Sequence, residues 1–294
     1  MRIFLLGATG SIGCAILRDL LAAGHDVTGL CRSDTAARFV SDLGASVQRG
    51  DMRRPDDWAQ ALEAQDAVIQ AAATFDADMA RADRIVVDTI RTAAARRARP
   101  LRLIYTGGCW LYGDTGDRIA DETTPFAPLP AFAWMLDHAA LLRDAAALSV
   151  AVIHPGMVYH TTGGVFDRML ADIDADRPIE IWGNPETRWP LVHRDDLAVA
   201  YRLLVEQPEL CGDFNAVAET GVPVGQIAAT LARARGHDGR LFCPPRQDVL
   251  SRAGHWALGP MLDQQLSAAR LQTATGWRPS RPLLTDSFPP LVPG

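Results

Sequence analysis

Three glycines near the amino terminus have a spacing that suits the binding of phosphate groups. Gly7, Gly10 and Gly13 follow the apolar run at residues 3–6 and open a segment with helical periodicity. In such a turn the first glycine permits a tight bend, the second lets the backbone approach a pyrophosphate, and the third allows close packing of the helix on the strand. Because free N–H groups at a helix N-terminus favour an anion, the spacing predicts a dinucleotide-binding turn. Its members are Gly7, Thr9, Gly10, Ser11, Ile12 and Gly13.

The end of the second predicted strand indicates which dinucleotide is bound. Cys31, Arg32 and Ser33 lie where such proteins place the residue that contacts the adenosine ribose. An acidic side chain there would accept a hydrogen bond from the ribose 2′-OH, whereas neutral and cationic side chains suit a 2′-phosphate. Arg32 and Ser33 therefore favour NADP(H) over NAD(H). The alternative is that Arg32 is a solvated loop residue.

All permanently cationic side chains of the protein are guanidinium groups. The chain contains 29 arginines and no lysine. This composition excludes mechanisms that need a lysine, such as a P-loop phosphate contact, a Schiff base, or an ammonium group that activates a tyrosine. Codon usage in a GC-rich genome is the simplest explanation, and the chemical exclusion holds whatever the origin.

Short β-rich runs alternate with longer amphipathic runs in the first half of the chain. This alternation is typical of repeated βα units around a parallel sheet. The apolar strand at residues 67–71 shows no alternation, as expected where helices cover both faces. Strands are predicted at residues 3–6, 27–31, 46–48, 67–71, 101–106 and 150–154. Helices are predicted at residues 11–23, 34–43, 56–64, 78–98 and 132–148.

After Pro155, glycines and prolines mark loops around shorter elements. These elements are helices near residues 165–175, 195–206 and 224–235 and strands near residues 179–182 and 214–217. We therefore predict an α/β fold, with a Rossmann-type doubly wound parallel sheet and a smaller C-terminal substrate-binding lobe. The dinucleotide-binding domain is expected to span residues 1–160 and the lobe most of residues 161–294, with segments near 190–217 returning to the sheet.

Composition excludes several classes of protein. The formal charge is −6 and no basic run is interleaved with aromatic residues, so nothing favours a nucleic-acid surface. The five cysteines form no CxxC pair, which argues against a disulfide framework or a zinc site, and no metal is expected. No apolar run reaches the roughly 18 residues of a membrane span. We therefore expect a cytoplasmic protein that binds a small-molecule substrate and neither nucleic acid nor membrane.

Further motifs extend a family likeness along almost the whole chain. The sequence resembles the extended and atypical short-chain dehydrogenase/reductase superfamily, in particular the NAD-dependent epimerase/dehydratase group. The motifs that carry the resemblance are the glycine turn, Gly50-Asp51-Met52, residues 67–73, residues 106–113 (TGGCWLYG), residues 154–159 (HPGMVY), residues 189–198 (WPLVHRDDLA) and residues 271–279.

The resemblance implies which other residues contact the cofactor. Asp51 is similar to the family's acid at the adenine amine, residues 67–73 resemble the strand and loop against the ribose, and residues 154–159 resemble the loop that passes the nicotinamide. The positions implied in this way are Asp51, Met52, Ala71, Ala72, Ala73, His138, Pro155, Gly156, Met157 and Val158.

The groups that carry the family's chemistry are replaced in this chain. The family transfers a hydride at nicotinamide C4 with a Ser or Thr, a Tyr that exchanges the substrate proton, and a Lys four residues later. By the family's spacing, Gly108 stands in place of the hydroxyl, Trp134 of the tyrosine and His138 of the lysine. His138 is the leading substitute because imidazole titrates near neutrality, although it could merely bind the nicotinamide ribose. Tyr112 and Thr106 are further candidates for a chemical role.

Four residues are expected near the substrate, namely Cys109, Trp110, Trp134 and Arg188. An arginine with aromatic neighbours suits an anionic or ring-bearing ligand. The thiol of Cys109 is compatible with either a reactive or an inert buried role. Asp195 is predicted to be the N-cap of the helix that follows it, rather than part of an acid/base or metal cluster.

Three functions remain open at the level of sequence. The first is an NADP(H)-dependent epimerase/dehydratase-type oxidoreductase or isomerase that acts on a small carbonyl or sugar-like substrate. The second is a non-catalytic NAD(P)-binding redox sensor or regulatory protein. The third is a non-redox cyclase or isomerase on the same fold. The resemblance also suggests a homodimer through the helices predicted near residues 78–98 and 132–148.

Overall fold

Strands and helices alternate along residues 1–74 and 76–290, the part of the chain that the structure, a computed structural model, describes. The strands are β1 (Arg2–Leu6), β2 (Asp26–Cys31), β3 (Ser46–Arg49), β4 (Ala67–Gln70), β5 (Leu101–Thr106), β6 (Ile119–Ala120), β7 (Leu148–Pro155), β8 (Met157–His160), β9 (Gly163–Gly164), β10 (Ile179–Glu180), β11 (Arg188–His193), β12 (Gly212–Ala216), β13 (Glu219–Pro223), β14 (Leu241–Phe242) and β15 (Gln265–Leu266). The α-helices are α1 (Ser11–Ala22), α2 (Asp34–Asp42), α3 (Met79–Ala95), α4 (Trp134–Arg143), α5 (Asp167–Asp174), α6 (Arg194–Val205), α7 (Val224–Arg235), α8 (Arg246–Ala253), α9 (Ala269–Thr275) and α10 (Leu284–Ser287). Short 3₁₀-helices cover Pro55–Asp57, Ala59–Ala64, Cys109–Tyr112 and His255–Met261.

The centre of the protein is a parallel sheet. Within the described residues it has seven strands in the order β3-β2-β1-β4-β5-β7-β12. The chain builds outwards from β1 to β3 in one direction and from β4 to β12 in the other. The strand order therefore reverses between β1 and β4, and sheets of this kind bind ligands outside the carboxyl ends of the strands at that point. The predicted α/β fold with a doubly wound, Rossmann-type sheet is confirmed.

Alternate residues of β1 enter two separate layers of the core. Ile3 and Leu5 belong to a large apolar cluster that includes residues of α1 and α6, whereas Phe4 and Leu6 belong to a second cluster with residues of α3 and α4. All four side chains are fully buried. Because complete burial of such a side chain contributes about 1.5–3 kcal/mol, β1 is anchored from both faces and holds the following turn in place.

After β7 the chain builds a smaller lobe. A second sheet has the order β13-β11-β8-β9, with β8 and β11 parallel. Two further short pairs, β10 with β14 and β6 with β15, connect distant parts of the chain. The chain also returns to the main sheet, where β12 pairs with β7. Strands β8, β9, β11 and β13 therefore form a sheet of their own, and its strand β8 begins just after the carboxyl end of β7.

Two of the predicted helices differ from the structure. The segment 56–64 forms two 3₁₀-helices, because Pro55 opens the first and the buried Trp58 separates them, with its Nε1 donating to the Asp51 carbonyl at 3.0 Å. The helix predicted at 132–148 is shorter, since α4 ends at Arg143 and Leu148 already pairs with β5.

The N-cap of α6 was also predicted wrongly. His193 occupies the cap, and its Nδ1 accepts a hydrogen bond from the backbone N–H of Asp195 at 3.2 Å. Asp195 is the second residue of the helix, and its carboxylate pairs with Arg281 at 2.7 Å. The helix is therefore capped by an imidazole nitrogen of His193 and not by the carboxylate of Asp195.

In residues 1–74 and 76–290 we find no helix long and apolar enough to cross a membrane. The same residues contain no group of three or more His, Cys, Asp or Glu side chains that could hold a metal ion. The five cysteines are free thiols.

Candidate active site

A cavity of about 620 Å³ opens at the carboxyl ends of β1, β4 and β5, where the strand order reverses. Its glycine half is formed by the turn at residues 7–12 and the loop at residues 70–74, and its aromatic half by Trp110, Phe132, Trp134 and Met135. The predicted site residues that line this cavity are Gly7, Thr9, Gly10, Ser11, Ile12, Met52, Ala71, Ala72, Ala73, Thr106, Cys109, Trp110, Trp134, Pro155, Gly156, Met157 and Val158. Seven others are not on its wall, namely Gly13, Arg32, Ser33, Asp51, Tyr112, His138 and Arg188.

Two glycines of the turn are required on steric grounds. Gly7 has a φ of +89°, and a Cβ at this position would lie 2.6 Å from the carbonyl oxygen of Ala71. A Cβ on Gly13 would lie 2.0 Å from the carbonyl oxygen of Gly7. The turn after β1 therefore touches both the loop after β4 and the first turn of α1, and no side chain fits between them.

Helix α1 presents an uncapped N-terminus to the cavity. Gly10 is its N-cap and makes no side-chain hydrogen bond to the first turn. The first intrahelical bond runs from the Cys14 N–H to the Gly10 carbonyl at 2.9 Å, so the earlier N–H groups have no partner within the helix. Ser11 and Ile12 of this turn line the cavity. Bare backbone, free N–H groups and the helix dipole together fit the pyrophosphate of a dinucleotide.

A buried carboxylate on the cavity wall, that of Asp83, contacts three other side chains. Asp83 of α3 accepts hydrogen bonds from the Tyr105 hydroxyl at 2.6 Å and from the Gln70 amide at 2.8 Å. Its Oδ2 also lies 2.7 Å from Nδ1 of His138. Asp83 and His138 are each only 6% exposed. Burial and the neighbouring carboxylate raise the pKa of Tyr105 well above its ordinary value, so this hydroxyl keeps its proton.

The network assigns a tautomer to His138. Because the Asp83 carboxylate is an acceptor, Nδ1 of His138 carries the proton that lies between them. No described residue forms a hydrogen bond with Nε2, which leaves this atom able to exchange a proton. His138 is not itself on the wall, but it contacts Asp83 and lies 5.0 Å, between ring centroids, from Trp134, and both of those residues are on the wall.

The other predicted chemical groups already have partners or are held in their neutral forms. Thr106 Oγ1 donates to the Gln70 carbonyl at 2.6 Å, so the Tyr201 hydroxyl, also at 2.6 Å, donates to Thr106. Tyr112 donates to Asn215 Oδ1 at 2.9 Å, and burial raises its pKa. Burial raises the pKa of the Cys109 thiol to about 12, so its reactive thiolate is suppressed at neutral pH.

Gly108, which was predicted to stand in place of the family's hydroxyl, lies on the cavity wall beside a second His–Asp pair, in which His154 is buried and Asp213 is half-buried. Its N–H donates to Nδ1 of His154 at 3.3 Å, and Nε2 of His154 lies 2.8 Å from Asp213. A Cβ on Gly107 would lie 2.4 Å from His154, whereas a Cβ on Gly108 would meet nothing within 4 Å. The place of the family's hydroxyl is therefore open space, and the backbone around it is held by His154.

Arg32, Ser33 and Asp51 lie at the ends of β2 and β3. Ser33 Oγ accepts from the Ala36 N–H at 3.1 Å and caps α2. Asp51 accepts from the Arg53 N–H at 2.9 Å. Arg32 is exposed, and its guanidinium has no ion pair with any residue that the structure describes. Arg32 is the one cation of the three, and its guanidinium is open to a ligand.

Arg188, which was expected near the substrate, is engaged elsewhere. Its Nε lies 2.9 Å from one Asp263 oxygen, and its Nη1 lies 3.1 Å from Asp117. Trp189 beside it is buried and donates its Nε1–H to the Pro260 carbonyl at 2.8 Å. These contacts join β11 to the carboxyl-terminal segment, away from the cavity wall.

Sequence reasoning missed the network around Asp83. Gln70 and Tyr105 end neighbouring strands, so the topology brings them to one edge of the sheet. The signal for Asp83 was its place on α3, where Val86, Val87 and Ile90 form a buried stripe at helical spacing. An acid on the buried stripe of a helix needs polar partners, and it therefore points to a buried polar network.

The fold and the cavity define a class, that of proteins which bind a dinucleotide at the switch point of a doubly wound sheet. The chain belongs to the NAD dependent epimerase/dehydratase family, which matches residues 3–216. The resemblance inferred from the motifs is thereby confirmed. Membership supports a nicotinamide dinucleotide cofactor and an enzyme of the oxidoreductase type.

Relatives of similar length share the fold at low identity. The chain is 28% identical over 295 residues to an uncharacterized protein of Schizosaccharomyces pombe, which covers 97% of this chain and 98% of the relative. It is 27% identical over 318 residues to the 3-diazoavenalumate denitrifying reductase of a Streptomyces species, with 98% and 99% covered. The structure of the human epimerase family protein SDR39U1 with NADPH has a TM-score of 0.77 at 21% identity, covering 98% of both chains. UDP-glucuronic acid 4-epimerase of Bacillus cereus, solved with UDP-glucuronic acid and NAD, has a TM-score of 0.82 at 17% identity, covering 98% and 96%.

Proposed function

We propose that the protein is an NADP(H)-dependent oxidoreductase that acts on a small carbonyl compound with a modified acid/base set. The proposal rests on one observation: the same cavity is lined by the uncapped N-terminus of α1 and by Asp83. Asp83 in turn is hydrogen-bonded to His138. The first feature suits a pyrophosphate, and the second can hold and release a proton. When bound, the nicotinamide donates or accepts a hydride at its C4 atom.

Arg32 supports NADP(H) as the form of the cofactor. It is exposed at the end of β2, directly beside β1 in the sheet, and forms no ion pair within the described residues. A guanidinium can bind the oxygens of a 2′-phosphate through two parallel hydrogen bonds. The human relative was solved with NADPH and the Bacillus cereus epimerase with NAD, so the proposal rests on Arg32 and not on the neighbours.

His138 provides the proton exchange in this proposal. Asp83 accepts from its Nδ1–H, which orients the ring and leaves Nε2 as the exchanging atom. The carboxylate also stabilises the imidazolium that forms when Nε2 gains a proton. Since His138 lies behind the wall, exchange of a proton between Nε2 and the substrate oxygen requires a relay through one water, an arrangement that general acid catalysis allows.

Two measurements test the proposal. Fluorescence titration compares the affinities of NADPH and NADH, and a panel of small aldehydes and ketones is screened for loss of NADPH absorbance. We expect NADPH to bind more tightly than NADH, and at least one carbonyl compound to be reduced. NADH binding that equals or exceeds NADPH binding would contradict the role of Arg32. Failure of both to bind would contradict the proposed function.

A second candidate is a non-catalytic NAD(P)-binding sensor. It is favoured by the loss of two reactive groups on the wall, because Gly108 and Trp134 stand where the family has a hydroxyl and a tyrosine. A sensor binds NADPH, reduces no carbonyl compound, and changes its hydrogen exchange between the NADPH and NADP⁺ complexes. Turnover that is lost in His138→Ala would instead favour the enzyme.

A further inference from the structure

The aromatic half of the cavity lacks cationic side chains. The chain has 29 arginines and no lysine, yet no arginine lines any described part of the cavity. Asp83 is the one charged residue found on the wall in the described residues. A diphosphate group needs cations or several free N–H groups around its oxygens, and the N-terminus of α1 provides the latter in the glycine half. The aromatic half therefore offers nothing to the diphosphate of a nucleotide sugar.

The polar side chains beside the aromatic half already have partners. Tyr105 donates its proton to Asp83, and Thr106 donates to the Gln70 carbonyl. The Nε1–H of Trp134 donates to the Ala131 carbonyl at 3.0 Å. The hydroxyl groups of a sugar would lose their hydrogen bonds to water and find few open donors or acceptors on this wall, which would weaken the binding of the sugar. A substrate with few hydroxyl groups is favoured by the same contacts.

The aromatic half has flat apolar surfaces instead. The rings of Trp110 and Phe132 lie 5.1 Å apart at an interplanar angle of 47°. Trp110 is held from behind, because a Cβ on Gly259 would lie 2.5 Å from its ring. Trp134 lies on the same half with its ring close to His138. Aromatic walls of this kind bind a planar ring through offset or edge-to-face contacts.

We propose that the substrate is an uncharged aromatic carbonyl compound, with its planar ring among Trp110, Phe132 and Trp134 and its carbonyl group toward His138. The inference rests on the proposed reductase function and narrows its substrate. Trp134 then has a role of its own: at the position of the family's tyrosine it binds the substrate ring, while the proton comes from His138.

Calorimetric titration with three probes tests this inference. The probes are 2-acetonaphthone, its saturated counterpart 2-acetyldecalin and UDP-glucose, which compare an aromatic ketone with an apolar ketone of the same carbon skeleton and with a nucleotide sugar. Each is titrated into protein saturated with NADP⁺, so that no hydride is transferred to the ketones, and into protein without cofactor. We expect 2-acetonaphthone to bind about tenfold more tightly than 2-acetyldecalin, and UDP-glucose to bind more weakly than both.

Variants locate the binding to the aromatic half. Trp134→Ala should weaken 2-acetonaphthone about tenfold, whereas Trp134→Phe keeps a stacking surface and should restore most of the affinity. Trp256→Ala is the matched control, since Trp256 is 46% exposed and is not on the cavity wall. NADP⁺ affinity reports on folding in every variant. If Trp134→Ala does not fold, Phe132→Leu replaces it with the same expected direction.

The outcomes separate this inference from the proposed function. Equal affinity for the two ketones, or tighter binding of UDP-glucose, would overturn the aromatic substrate while cofactor binding leaves the reductase proposal intact. Failure of NADPH and NADP⁺ to bind would overturn the proposed function. The ketone comparison in protein without cofactor would then still decide whether the cavity prefers an aromatic ligand.

Discussion

The glycine half and the aromatic half of the cavity are built by different means. In the glycine half the contacts come from backbone, because a Cβ on Gly7 would clash with Ala71 and α1 begins without a side-chain cap. In the aromatic half the contacts come from the large side chains of Trp110, Phe132 and Trp134. The first half suits the pyrophosphate of a cofactor, whereas the second presents apolar rings.

The two His–Asp pairs near the cavity also differ from each other. Both ring nitrogens of His154 are engaged, one by the Gly108 N–H and the other by Asp213. His138 is bonded to Asp83 through Nδ1, and Nε2 has no partner among the described residues. A histidine with both nitrogens occupied holds a loop in place, whereas one with an open nitrogen can exchange protons. Of the two, His138 is therefore the one with an open ring nitrogen, and His154 is the one that holds the backbone at Gly108.

The largest expected effect is on turnover in His138→Ala. Loss of a general acid or base lowers kcat by about 10²–10⁴-fold. Steady-state kinetics with the best carbonyl compound of the panel measures this, and NADPH titration shows whether the glycine half is intact. His255→Ala, at an exposed histidine, is the control. If kcat stays unchanged while the Kd of NADPH rises, His138 binds the cofactor ribose and the proton has another source.

The substitution Gly7→Ala tests the glycine half of the cavity. A methyl group at this position meets the carbonyl of Ala71 and requires the turn to move, at a cost of up to roughly 3 kcal/mol, so the Kd of NADPH should rise by about 100-fold. Gly24→Ala is a matched control, because Gly24 has a similar φ of +82° but nothing within 4 Å of its Cβ. Equal losses in the two variants would mean that backbone strain, and not the close approach, determines binding.

The parts of the fold and of the site that could be predicted from the sequence are those determined by residues close together in the chain. The glycine turn and the apolar strand after Met1 need only neighbouring residues, and the switch point follows from the order of the βα units. The segment 56–64 shows the limit of this reasoning, since Pro55 and the buried Trp58 divide an apolar stretch that resembles a helix. Local pattern does not show which tertiary contact a side chain will make.

The network around Asp83 shows why the rest of the site was missed. Its partners Gln70, Tyr105 and His138 lie 13, 22 and 55 residues away in the chain, and they meet only after the sheet and two helices have packed. The family's spacing predicts His138 at a reactive position, but no local pattern could show that Asp83 would bury it behind the wall. Nor could it show that Arg188 would pair with Asp263 and Asp117 instead of lining the cavity.

A smaller effect is expected from Arg32→Ala. Loss of one guanidinium contact to a 2′-phosphate should raise the Kd of NADPH about tenfold and leave the Kd of NADH unchanged. Fluorescence titration with both cofactors gives the ratio directly. Arg118→Ala removes the same charge from an exposed position that is not on the cavity wall. A rise in Kd that is equal for both cofactors would place Arg32 at a part of the dinucleotide which they share.

The smallest effect is expected at Cys109, on the border of the aromatic half. Burial raises the pKa of this thiol to about 12, so at about pH 8 only roughly one molecule in 10,000 carries a thiolate there. The thiols of Cys211 and Cys243 are exposed. Brief alkylation followed by peptide mass spectrometry should therefore modify Cys211 and Cys243 and spare Cys109, whereas unfolding in urea should make all three react. Labelling of Cys109 at the rate of Cys211 in the folded protein would show a wall that opens to solvent. An aromatic half that opens in this way could not exclude water from a substrate ring. That outcome would contradict the view that its side chains form an apolar wall.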